Sequence, residues 1–103
     1  MSAIEITSQN FDKEVLQSSV PVLLDFWASW CGPCRMLSPV VEEISNEYSN
    51  IKVGKINVDE QLELAQKFGI MSIPTLMVFK NGKNIDTRVG VRPKSDILAM
   101  LGL

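Results

Sequence analysis

From Val20 to Ala28 the chain reads VPVLLDFWA, and Asp25 is the only ionisable residue in the run. A strand this apolar has no face to offer water, so it belongs inside a sheet covered on both sides. That requirement points to a layered α/β architecture, and the rest of the chain agrees by alternating strand and helix patterns. AIEI (3–6) reads as a short first strand. SQNFDKEVLQ (8–17) reads as a helix with Phe11, Val15 and Leu16 on one face. Beyond the central strand, Leu37, Val40, Val41, Ile44 and Tyr48 recur at helical spacing, opposite Glu42, Glu43, Asn46 and Glu47. Pro39 lies inside that helix and predicts a kink, because it removes one backbone hydrogen bond. IKVGKINV (51–58) is a third strand. Asp59 is expected to cap a short helix that runs to Phe68 and stops at Gly69. Asn81–Gly82 marks the turn of a hairpin between TLMVFK and KNIDTRVG, and KSDILAML closes the chain as an amphipathic helix.

The 103 residues suffice for a single domain, 1–103, with a core that needs no cross-links. A net charge of −2 and a pI near 5.0, with no basic patch, argue against a nucleic-acid partner. Residues 1–7 carry no cationic stretch followed by an apolar segment, so no signal peptide is expected. The longest apolar run is too short for a bilayer, so no membrane association is expected either. These features fit a cytoplasmic protein. In that compartment paired cysteines are usually catalytic, redox-sensing or metal-binding.

Cys31 and Cys34, in WCGPC, are the only cysteines. Two thiolates make half of a zinc site, and a chain without histidine or further cysteine cannot complete it, so no metal or cofactor is expected. A disulfide closing so short a loop constrains the unfolded chain least, which makes a structural staple a poor reading. The absence of histidine also removes a Cys–His nucleophile pair. Redox chemistry remains. Positions i and i+3 of a helix have Cα atoms roughly 5 Å apart, within disulfide reach. With Cys31 as N-cap, its sulfur faces the free amides of the first turn and solvent, while Cys34 turns inward. Those amides and the helix dipole favour the Cys31 thiolate. Pro33 suits a first-turn position, and Gly32 leaves room for another chain.

FWASWCGPCRM, with Asp25 just before it, then VGKINVD, SIPTLMVFKNG and RVG, resembles the thioredoxin family across essentially the whole chain and in the same order. The resemblance implies a thioredoxin fold: a central five-stranded mixed sheet, order 1-3-2-4-5, flanked by four helices. It implies a thiol–disulfide oxidoreductase that reduces protein disulfides, with Cys31 as attacking nucleophile and Cys34 as resolving thiol. It further implies a cis Ile73–Pro74 bond beside the cysteines, and substrate contacts from Ile73, Pro74, Trp30, Gly32, Pro33, Gly90 and Val91. The implied partners of this monomer are thioredoxin reductase, which would recharge it, and disulfide-containing target proteins. Met71–Ser72, where many relatives carry Arg–Gly, and the bulky Val91–Arg92–Pro93 depart from the common pattern beside the docking groove.

An aspartate at a strand end is often an inert hydrogen-bonded residue. Inside an apolar run it is costly, and such residues cluster at functional sites. Asp25 is therefore read as the general base or acid for Cys34, acting through water. Lys55 reads from sequence alone as an ordinary strand-end lysine; the resemblance puts it near Asp25, tuning its charge. Trp27 and the methionines are read as packing, and Trp30 as an exposed contact. Two functions stay open: an electron carrier for protein disulfides, or a binding module that holds a partner protein and uses its cysteines only incidentally.

Overall fold

The structure is a computed structural model and describes residues 3–103, so the first two residues of the expected 1–103 domain lie outside the described residues. Five strands form one sheet in the order β1-β3-β2-β4-β5: β1 (Ile4–Glu5), β2 (Val22–Trp27), β3 (Lys52–Asn57), β4 (Thr75–Lys80) and β5 (Lys83–Val89). β2 is central, pairing in parallel with β3 and antiparallel with β4. Its side chains are buried from Val22 to Phe26, as the apolar run requires.

The side chains of β2 alternate between two cores. Leu23 joins Val53, Leu76 and Val78 beneath α1 (Gly32–Glu47) and α3 (Lys94–Met100), which contribute Leu37, Val41, Ile44 and Ile97. Val22, Leu24 and Phe26 point the other way, toward Phe11, Val15, Ile56 and Phe79, with Leu64 of α2 (Leu62–Lys67) closing that side. Phe11, Phe68 and Phe79 meet there with ring centroids 5.5–5.9 Å apart, in the tilted and edge-on arrangements aromatic rings prefer. Gly54 of β3 leaves no room for a side chain against this core. A Cβ there would sit 2.5 Å from Cγ1 of the fully buried Ile6.

Two expectations about local structure need correction. The first helix is only a π-helical segment, Asp12–Leu16, reached through turns from Thr7. Asn10 Oδ1 accepts the Thr7 amide at 2.7 Å and the Phe11 amide donates to the Thr7 carbonyl at 2.9 Å, so Thr7 and Asn10 form the turn that leads into it. Asp59 does not cap α2. The helix starts after Gln61, and the Asp59 carboxylate accepts the Trp30 indole N–H instead. α1 runs through Pro39 as one helix from Gly32 to Glu47. The Asn81–Gly82 turn is as expected: both residues have positive φ, 54° and 78°, between paired Lys80 and Lys83. That is the two-residue loop matching the twist of a hairpin. Among the described residues no helix is long and apolar enough to cross a membrane.

Candidate active site

β2 ends at Trp27, and five residues later α1 begins, so the connection must turn sharply at the carboxyl edge of the sheet. Cys31 ends that turn as the N-cap of α1. Its Sγ accepts the amide of Cys34 at 3.2 Å, meeting one of the donors a helix start leaves free. The Cys31 and Cys34 Cα atoms are 5.3 Å apart and the two sulfurs form a disulfide. Gly32 and Pro33 occupy the first turn, where proline loses no intrahelical bond, and a Cβ added at Gly32 would meet nothing within 4 Å.

Both cysteine residues are buried in this oxidised state, Cys31 4% and Cys34 3% exposed, in a cluster with Ala28 against which Trp27, Val58 and Ile73 pack. What distinguishes the two is the amide on Cys31, together with the 3.8 Å approach of its Sγ to the Ile73 carbonyl oxygen. The Ile73–Pro74 bond is cis, and the Pro74 carbonyl accepts the Gly90 amide at 2.8 Å. Gly90 has φ 96°, a left-handed value that suits glycine and redirects the chain after β5. Val91 beyond it is exposed.

Trp30 is 66% exposed, and its Nε1 donates to Asp59 Oδ2 at 2.9 Å. The held indole forms one wall of a groove completed by Val58, Ile70, Met71, Ser72 and Ile73. The approach to the disulfide is therefore apolar on this side. Asp59 is read from the sequence only as a helix cap, because nothing local in the sequence links position 59 to position 30.

Behind the disulfide, parallel pairing sets Asp25 of β2 beside Lys55 of β3. Asp25 is fully buried, and neither carboxylate oxygen has a protein hydrogen-bond donor. Burial pushes its pKa from 3.8 up to about 6, and the Lys55 ammonium opposes that rise. Lys55 Nζ donates to Ser38 Oγ at 2.7 Å and lies 5.0 Å from the centre of the Trp27 ring. A cavity of about 280 Å³ opens beside these groups; its walls include Cys34, Trp27, Ser38 and Lys55. The structure thus joins Lys55 and Cys34 at a shared cavity, and Asp25, fully buried, is not among the residues that line it. Trp27 is half-buried and serves as the platform for Lys55, a placement that register creates.

A CxxC disulfide capping the helix that leaves the central strand of this sheet defines a thiol–disulfide oxidoreductase. The family model described as Thioredoxin matches residues 2–102, and the chain belongs to the thioredoxin family. It is 54% identical over 102 residues to "Thioredoxin" of Pyropia yezoensis, covering 98% of this chain and 95% of that one. It is 55% identical over 96 residues to "Thioredoxin 1" of Synechococcus elongatus, covering 92% and 90%. It is 53% identical over 97 residues to "Thioredoxin" of Rickettsia bellii, covering 93% and 92%.

Proposed function

We propose that the chain acts as a single-domain, monomeric protein-disulfide reductant of the cytoplasm, recharged by a thioredoxin reductase. The observation that carries this reading is the Cys34 amide on Cys31 Sγ at 3.2 Å, which favours negative charge on Cys31. The Cys31 thiolate attacks one sulfur of a target disulfide, forming a mixed disulfide and expelling the other sulfur as a thiolate. Asp25 takes the Cys34 proton through water. The Cys34 thiolate then attacks Cys31 Sγ, forming the intramolecular disulfide and releasing the second target thiol. Two electrons pass from the dithiol to the target, and the reductase returns two.

Asp25 suits the proton step because a pKa of about 6 keeps it ionised yet basic near neutrality. Lys55 keeps that pKa from rising further. The target chain docks along Trp30, Ile73, Pro74, Gly90 and Val91, with Gly32 and Pro33 leaving open space above the sulfur. Such a surface offers little charge, which supports broad, backbone-led recognition. The acidic pI supports neither nucleic acid nor an anionic membrane as partner. Insulin reduction driven by dithiothreitol tests the reading: catalytic precipitation of the insulin B chain is expected. No acceleration, with the fold intact, would leave the alternative of a binding module.

A further inference from the structure

Ser38 has no part in the exchange steps, yet among the described residues it is the one whose side chain accepts a hydrogen bond from the Lys55 ammonium. It lies one helical turn beyond Cys34 on α1, and both line the 280 Å³ cavity. Its Oγ accepts from Lys55 Nζ at 2.7 Å, and the ammonium also lies over the Trp27 ring. A lysine stem is long and flexible and its ammonium strongly hydrated, so an untethered Lys55 at this opening would spend its time in solvent, where its field is screened. A neutral hydroxyl anchors the cation without cancelling its charge, as a carboxylate partner would. The charged or titratable groups around Asp25 are Lys55 from β3, and Cys34 and Arg35 of α1 at the shared cavity. On β4 its partner is Leu76, and its neighbours on the same face of β2 are Leu23 and Trp27.

We propose that Ser38 is a positioning residue: it fixes the Lys55 ammonium over the Cys34 cavity so that its charge acts on Asp25 during proton transfer. The inference deepens the proton-transfer role proposed above and rests on it for its catalytic meaning.

The test is a carboxyl-carbon NMR titration of Asp25 in the oxidised full chain, which needs no exchange activity. Ser38→Ala is expected to raise the Asp25 midpoint by about 0.5 pH unit, and Lys55→Met by roughly 1. The double variant is expected to match Lys55→Met alone, and Ser38→Thr to restore the wild-type midpoint. An unmoved or lowered midpoint in Ser38→Ala would overturn the proposal. So would full additivity with Lys55→Met, since Ser38 would then act by a route other than Lys55. Failure of the general-base reading shows elsewhere, as a normal exchange rate in Asp25→Ala, so the two failures are separable.

Discussion

Replacing Asp25 with alanine should stabilise the protein in a pH-dependent way. The carboxyl is fully buried without a protein donor, and its pKa is raised from 3.8 to about 6. An acid whose folded pKa exceeds its unfolded value binds its proton more tightly in the native state. Its ionisation therefore penalises folding. The penalty is absent in strong acid, grows as pH rises between the two values, and levels off above the folded pKa. Those two values correspond to about 0.5 kcal/mol at pH 4 and about 3 kcal/mol at pH 8. Alanine removes the penalty but leaves a small cavity costing about 1 kcal/mol at either pH. The variant should be about 2 kcal/mol more stable at pH 8 and slightly less stable at pH 4. Urea unfolding of both oxidised proteins reads this as a midpoint about 1 to 2 M higher for the variant at pH 8 only. Equal stability differences at the two pH values would refute the argument, because no differential ionisation would then exist.

Two further outcomes follow from the geometry. In the reduced protein at pH 7, iodoacetamide should modify Cys31 at least about tenfold faster than Cys34, since only Cys31 receives the helix-start amide; peptide mapping by mass spectrometry reads the ratio. Gly54→Ala should destabilise by about 1 to 3 kcal/mol in chemical denaturation, because its Cβ would press on buried Ile6 and on Leu24.

Much of this site was legible because it is local. The apolar run of β2 required a covered central strand, and a helix pattern starting beside Cys31 placed the sulfur at an N-cap. The two positive-φ residues of the hairpin are an Asn–Gly pair, whose conformational preference is intrinsic. What stayed hidden depends on side chains far apart in sequence. Ser38 meets Lys55 only because α1 packs across β3, and Trp30 meets Asp59 only because two loops converge at one sheet edge. Asp59 lies two residues before the N-cap position, Gln61, and its carboxylate is taken up by the long-range bond to Trp30.

The central claim is that one sulfur attacks and the other resolves, and trapping tests it most directly. Reduced Cys34→Ser and Cys31→Ser variants would each be mixed with insulin, quenched with acid and weighed by mass spectrometry. Cys34→Ser should accumulate a covalent adduct through Cys31 that dithiothreitol releases, because no thiol remains to resolve it. Cys31→Ser should stay unmodified. Adducts of equal yield on both variants, or on Cys31→Ser alone, would contradict the assignment of Cys31 as nucleophile and with it the mechanism.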